Sequence, residues 1–197
     1  MRKNSIICFL ILLSACFEPD LQRSIYLSDD EFPELPRYSE WGYNTFGAFV
    51  DRQPFISNDA ETPIKVVEEP GRTAFRFTGQ RGLVNYGTGE PFAISFVFPD
   101  LQPETYDHLM LLHNSSWDLA SEDTDVIFTE GFARDTLEVL NGNLKFKRAQ
   151  YLLVDQKAEQ VILSGVFEFQ AIRNGIPITV SNGRFDVGVA DHNFYRY

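Results

Sequence analysis

The segment 161–189 reads VILSGVFEFQAIRNGIPITVSNGRFDVGV and decides the fold class. In its first half, apolar residues share one face and polar residues the other. The apolar face holds Val161, Leu163, Phe167, Phe169 and Ala171, and the polar face holds Ser164, Glu168 and Gln170. Alternation with period two is typical of half-buried antiparallel strands. Asn174-Gly175 lies between two such runs, which predicts a type I′ hairpin.

A change of phase in the second strand predicts a β-bulge. Ile176, Ile178 and Val180 have even numbers, whereas Phe185, Val187 and Val189 have odd ones. Both sets reach the same face only if one extra residue is accommodated within 181–183. We therefore expect a bulge there, with Gly183 at positive φ.

Period-two patterns also occur earlier in the chain. In the run 92–98, Phe92, Ile94, Phe96 and Phe98 share a face, and Asn141-Gly142 is a second hairpin candidate. A weak helix is expected around 104–112. The sequence predicts one all-β domain over 41–197, mainly antiparallel and meander-like. It forms either a β-sandwich or a partly open β-barrel with a C-terminal hairpin.

Composition agrees with a folded domain and excludes some partners. The 197 residues include 44% hydrophobic and 14% aromatic residues, which excludes disorder for most of the chain. With 17 basic residues against 28 acidic ones, the net charge is −11. Nucleic acid is not an expected partner, because phosphate backbones need a basic face.

The N-terminus has the layout of an export signal. Arg2 and Lys3 precede a short apolar run, and the run ends at Leu13-Ser14-Ala15-Cys16. These four residues resemble the lipobox of bacterial lipoproteins. That resemblance implies a signal peptide over 1–15, and a diacylglyceryl group and a further acyl chain such as palmitate on Cys16. The lipid bilayer would then be a partner through Cys16. An ordinary secretory cleavage with an unmodified cysteine is the alternative.

Residues 16–40 are acidic and interrupted by prolines. They are expected to form a lipidated tether between the bilayer and the β domain. The alternative is an arm packed on the domain, with Ile25, Tyr26 and Leu27 docking locally.

Two segments resemble a known family. Residues 43–56 (YNTFGAFVDRQPFI) resemble the opening of small lipoproteins from the Bacteroidota, and 164–169 with 178–186 resemble their closing part. The chain departs from the family at 51–53, at 56–57 and at Val166. The family is of uncharacterised function. The resemblance implies a β-rich, lipid-anchored protein of the bacterial outer membrane, facing the periplasm or the surface, and it carries over no catalytic residues.

Aromatic residues near turns are the first candidates for ligand contact. Trp41, Tyr43 and Trp117 would stack on sugar rings if they lie on the surface. The alternative is that they close the ends of the core, where aromatic burial is usual.

An acidic segment is favoured as a metal candidate over a zinc site at His108, His113 and His192, because His108 and His113, five residues apart, do not share a face. Asp118, Glu122, Asp123 and Asp125 offer hard oxygens that Ca²⁺ prefers. The EF-hand pattern is absent, and a solvated acidic loop is the commoner outcome. No other cofactor is expected.

Three functions remain open. The first is a non-catalytic envelope lipoprotein for surface interaction or assembly. The second is a module that binds a glycan or peptide on an open sheet face. The third is a hydrolase with scattered carboxylates. No G-x-S-x-G, P-loop or G-x-G-x-x-G motif occurs, so no catalytic residue is predicted.

Overall fold

The structure is a computed structural model, and it describes residues 21–57, 63–82, 90–99 and 101–197. Strands dominate these ranges. The strands are β1 Thr45–Val50, β2 Gln53–Ile56, β3 Ile64–Glu69, β4 Arg72–Arg81, β5 Glu90–Pro99, β6 Ser115–Asp118, β7 Asp125–Glu130, β8 Ala133–Thr136, β9 Glu138–Val154, β10 Lys157–Arg173, β11 Ile176–Val189 and β12 Phe194–Arg196.

The strands form one large antiparallel sheet that does not close on itself. Its order is β6-β9-β10-β11-β1-β2-β4-β5-β7-β8, with β3 paired to β4. The pair of β12 and β3 is parallel. The all-β, mainly antiparallel prediction is confirmed, and the strands belong to one large sheet that is not closed.

The core lies between the two halves of this folded sheet. Phe96 of β5 lies 5.1 Å from Phe167 of β10, measured between ring centroids, and Phe77 of β4 lies 5.1 Å from Phe185 of β11. Phe46 of β1 contacts both halves, because β1 stands at the corner. β4 and the hairpin strands β10 and β11 each bury one face in this core over much of their length, which explains the period-two pattern, whereas β5 is buried on both faces over 92–98.

The C-terminal hairpin forms as predicted. Arg173 pairs with Ile176 across Asn174 and Gly175, whose φ angles are 51° and 79°. The predicted core residues are buried, and they are Phe167, Phe169, Ile178 and Phe185. Glu168 and Gln170 are exposed, so the hairpin is half-buried.

The bulge also forms, but with a different residue at positive φ. Phe167 pairs with Gly183 and Phe169 with Val180, so two residues of β11 stand opposite Glu168. The positive φ of 53° belongs to Asn182, and the prediction for Gly183 is wrong. Glycine is required at 183 for a different reason. A Cβ there would lie 2.5 Å from the carbonyl oxygen of Phe167.

The second predicted hairpin turn is wrong. Asn141 and Gly142 lie inside β9, where Gly142 pairs with Phe169. A side chain at 142 would collide with the Phe169 side chain, so this glycine serves close strand approach. The turn between β9 and β10 is Asp155-Gln156, with φ angles of 49° and 67°. Sequence reasoning missed it because neither residue is glycine.

A 3₁₀ helix, Tyr106–Leu112, lies where a weak helix is expected. Its Leu109 and Leu112 are buried and join the main core. Among the described residues, no helix is both long enough and apolar enough to cross a membrane.

Residues 21–40 form an arm that packs along the sheet. The N–H of Ile25 donates to the carbonyl of Tyr43 at 2.8 Å, and the N–H of Arg37 donates to the carbonyl of Leu27 at 2.6 Å. Leu35 is completely buried. Over 21–40 the packed-arm alternative therefore applies instead of a free tether. Residues 16–20 and the predicted signal peptide lie outside the described residues.

Candidate functional site

A buried carboxylate holds the end of the arm. Asp186 of β11 is 1% exposed, yet no cation of the described residues forms an ion pair with it. Its oxygens accept five hydrogen bonds instead, from the N–H groups of Trp41, Gly42 and Tyr43 and from the hydroxyls of Ser39 and Ser164. A buried charge is tolerated when such donors replace its water. Asp186 therefore fixes the arm to the sheet.

A second attachment lies further back along the arm. The Arg184 guanidinium of β11 lies 2.6 Å from the Asp29 carboxylate, and both side chains are more than four-fifths buried. The ring of Phe32 packs edge-on against Phe49 of β1, with centroids 5.8 Å apart. These contacts place the arm over β11 and β1, and the outer face of β9 and β10 stays open beside it.

The open region forms a groove, which we call the outer-face groove. Its first part, of about 500 Å³, lies between Phe32 and Tyr38 of the arm and the sheet residues Asn143, Lys147, Glu168 and Arg184. Its second part, of about 550 Å³, shares Asn143 and Glu168 and continues past Gln170 and Thr179 toward the hairpin turn. Because both parts are lined by Asn143 and Glu168, they lie next to each other on the outer face, and we use the one name for both.

Amide side chains dominate the open part of the groove. Asn141 donates to Gln170 at 3.1 Å, and Asn143 donates to the hydroxyl of Ser116 at 2.9 Å. These pairs are exposed. An amide both donates and accepts hydrogen bonds, so the floor matches a ligand rich in hydroxyl or amide groups.

Contacts at the arm side of the groove fix the protonation states of Tyr38 and Glu40 near neutral pH. Burial and the adjacent Glu40 carboxylate raise the pKa of Tyr38, whose hydroxyl donates to Glu40 at 3.0 Å. The hydrogen bond from Arg148 lowers the pKa of Glu40. Lys147 Nζ lies 4.7 Å from the centre of the Tyr38 ring. Tyr38 is thus neutral and Glu40 ionised near neutral pH.

Asp29 is held as a carboxylate. Its burial alone would raise its pKa, but N–H donation from Phe32 and Glu31 and the Arg184 charge outweigh that effect, and the pKa is lowered. A general acid needs a carboxyl group that keeps its proton near neutral pH. Asp29 does not meet this requirement, and the hydrolase hypothesis gains no support from it.

The three predicted aromatic residues do not share a surface. Trp117 of β6 packs against Phe98 at 4.4 Å between centroids, on the core side of the sheet. Tyr43 is half-buried at the Asp186 end of the arm, whereas Trp41 is 72% exposed. For Trp117 the core alternative applies. Trp41 and Tyr43 remain candidates for stacking.

The predicted calcium residues are spread over a solvated loop. Asp118, Glu122, Asp123 and Asp125 are all exposed. The Asp118 carboxylate accepts the N–H of Ala120 at 2.9 Å. Across the part of the chain that the structure describes, no group of three or more His, Cys, Asp or Glu side chains could hold a metal ion. The calcium hypothesis therefore gains no support.

The groove residues themselves were not predicted as a site. The sequence pattern places Glu168 and Gln170 only on the polar face of a strand, and Asn141 in a predicted turn. The missing information was the position of the arm, because the arm makes a groove of an otherwise flat sheet face. Cys16, the predicted lipid attachment site, lies outside the described residues.

Comparisons with known proteins add no assignment. No family model, no curated protein and no solved structure matches the chain. The resemblance to Bacteroidota lipoproteins therefore stays a prediction.

Proposed function

We propose that the protein is a non-catalytic interaction module, anchored by lipid at Cys16 to the bacterial outer membrane. Its ligand is a neutral glycan or a peptide, which it takes in the outer-face groove. The observation that carries this proposal is the groove itself: two adjacent hollows on the sheet, the first bounded by the arm and the second floored by exposed amides. Specific sites of this kind hold ligands through a few well-placed polar groups.

The arm links the anchor to the groove. Asn44 Nδ2 donates to the Leu21 carbonyl at 2.7 Å, so the chain is attached to the sheet five residues after Cys16. In the proposed module, the same arm that leads from the lipid also forms one wall of the groove.

Anchoring is tested separately from binding. In cells, Cys16→Ser is expected to leave the precursor unlipidated, and the protein no longer partitions into detergent. Intact-mass analysis of the native protein gives the direct readout. A free thiol at Cys16 in the mature chain would contradict the anchor.

Binding is tested with two glutamates of the same strand. Glu168 and Glu159 are both exposed on β10, but only Glu168 lines the groove. Calorimetric titration of the full chain with panels of neutral oligosaccharides and of peptides should show binding for at least one panel. We expect Glu168→Gln combined with Asn143→Ala to weaken it by tenfold or more, with Glu159→Gln unchanged. Equal affinities for the two variants would place the ligand elsewhere, and no binding in either panel would overturn the module.

A further inference from the structure

Two cations lie directly opposite each other on the outer face of β3 and β4. Lys65 pairs with Arg76 in the strand register, so the two side chains share one face. Phe75 and Phe77, the neighbours of Arg76, face the core, which places Arg76 on the outside. Like charges at directly opposed positions destabilise a sheet. A nearby negative charge would offset this repulsion, and the chain has 28 acidic residues that could provide one.

No carboxylate of the described residues supplies that charge. Within β4 the other two arginines are paired, Arg72 with Glu69 and Arg81 with Glu130. Arg76 and Lys65 form no salt bridge with any residue that the structure describes. Lys65 Nζ lies 4.9 Å from the centre of the Tyr195 ring of β12, a contact that supplies no full negative charge. Of the three arginines of β4, Arg72 and Arg81 thus have a carboxylate partner, and Arg76 has none among the described residues.

Arg76 also has a buried donor without an acceptor. Its Nε atom is inaccessible to solvent and makes no hydrogen bond with any residue in the described ranges. A buried donor left unpaired destabilises the folded state and is rare in folded proteins. A bound ion that accepts this hydrogen bond removes the cost, and the partly exposed Lys65 and Arg76 side chains leave it a route of access.

A third donor continues the row onto the next strand. Ser95 of β5 pairs with Arg76, so its hydroxyl lies on the same outer face. Ser95 is 6% exposed, and its neighbours on that face, Ala93 and Val97, are buried as well. A poorly hydrated site strengthens the attraction between the cations and an anion.

We propose that Lys65, Arg76 and Ser95 form a binding site for a phosphate group. The two positive charges match the dianion of a phosphate monoester, whereas a carboxylate would neutralise only one of them. The guanidinium donates through Nε and its terminal nitrogens, and the hydroxyl donates to a further oxygen. The Lys65 ammonium supplies the second charge when its flexible side chain turns from the Tyr195 ring toward Arg76. This site is separate from the outer-face groove on β9–β11 and does not depend on the function proposed for it.

The test follows the Arg76 Nε–H signal by NMR in the full chain, during titration with inorganic phosphate. Ionic strength is held constant with sodium chloride, which removes simple screening. We expect a saturable shift of the Arg76 signal and a rise of the thermal midpoint. Arg76→Gln and Lys65→Gln should each weaken binding tenfold or more. Arg72→Gln, the matched control on the same strand, should leave it unchanged.

Other ligands identify the source of the phosphate group. Glucose 1-phosphate represents a glycan and glycerol 3-phosphate a lipid headgroup. An ester that binds ten times more tightly than inorganic phosphate identifies its class as the ligand, and equal affinity assigns free phosphate. Acetate binding as tightly as phosphate, a non-saturable response, or unchanged binding in Arg76→Gln would overturn the site.

A stability measurement tests whether Arg76 is only structural. In phosphate-free buffer, Arg76→Met should leave the thermal midpoint unchanged or raise it, because it removes an unpaired donor and a like charge. The rise with added phosphate should disappear. A clear fall of the midpoint in phosphate-free buffer would show a structural role and would overturn the proposal.

Discussion

Arg173 Nη1 lies 3.0 Å from Glu130 Oε2, and this ion pair joins β10 to β7 at the open side of the sheet. The same guanidinium lies 2.6 Å from Asp135 of β8. β10 and β7 are remote from each other in the strand order, so no backbone ladder connects them. Side chains therefore hold this side of the molecule together where hydrogen-bonded pairing stops.

Replacing Arg173 should weaken the fold measurably. Its side chain is 19% exposed, and Arg173→Gln would leave two partly buried carboxylates close together. We expect a loss of about 1–2 kcal/mol in the free energy of unfolding, in the range for hydrogen bonds to charged groups. Urea melts give the value. Arg72→Gln, which breaks a more exposed pair with Glu69, should cost under about 0.5 kcal/mol. Equal losses of unfolding free energy in the two variants would show that the Arg173 ion pairs add no more stability than an exposed pair.

The Asp186 carboxylate should be the strongest attachment of the arm. Asp186→Asn keeps the size, but an NH2 group replaces one of the two carboxylate oxygens, and this group cannot accept hydrogen bonds from the donors that face it. We expect a loss of about 2–4 kcal/mol, since buried donors become unpaired. Hydrogen exchange of residues 25–43 should accelerate at the same time. Ser164→Ala, which removes one of the five donors, should cost about 1 kcal/mol. Slow exchange of the arm in Asp186→Asn would contradict this role.

The strands could be predicted because local pattern and tertiary burial agree. Phe167, Phe169 and Phe185 alternate with polar residues, and each is buried as that alternation predicts. The turn at Asn174-Gly175 is equally local, because the residues that adopt positive φ are themselves the signal.

The arm and the groove could not be predicted in the same way. The arm is fixed by contacts between residues far apart in the sequence, such as Asp29 with Arg184, and nothing in the acidic sequence of 21–40 reveals them. The turn prediction at Asn141-Gly142 is wrong for a related reason. The small size of Gly142 serves approach to Phe169, which belongs to another strand, and the local Asn-Gly pattern does not contain that contact.

Asp29 should make the free energy of unfolding depend on pH in the acidic range. Its pKa in the folded chain lies below the ordinary value of 3.8, so its contribution is complete above about pH 4 and is lost as the pH falls through the folded pKa. We expect Asp29→Asn to cost about 1–2 kcal/mol at pH 7 and progressively less below pH 4. Unfolding measured from pH 7 to pH 2 provides the comparison.

The neighbouring Asp30 is the control for this pH dependence. It pairs with Arg37, but its side chain is 90% exposed. Asp30→Asn should stay within about 0.5 kcal/mol of the wild type at every pH. A gap between wild type and Asp29→Asn that stays constant down to pH 2 would rule out the lowered pKa as its cause.

The bulge residues 182 and 183 should differ in the side chains they tolerate, because one is limited by its φ angle and the other by space. Asn182 has φ of 53°, so Asn182→Gly should change stability by less than about 0.5 kcal/mol, whereas Asn182→Val should be clearly destabilising. Gly183→Ala should cost about 1–3 kcal/mol, because its Cβ would meet the Phe167 carbonyl and ring. Chemical denaturation of the three variants separates the two causes. A tolerated Gly183→Ala would show that the strands can separate at the bulge.

The two faces of β10 should differ sharply in their sensitivity to truncation. Phe169 is 2% exposed and its ring lies 6.1 Å from Phe128 and 6.4 Å from Phe96, so Phe169→Ala should cost about 3–5 kcal/mol. That is much of the usual margin of about 5–15 kcal/mol, and the described residues contain no cysteine to form a disulfide. Glu168→Ala, one residue away on the groove side, should be close to neutral in urea melts. Equal damage from both would mean that the groove face is covered in solution, and a ligand could then reach it only by displacing that cover.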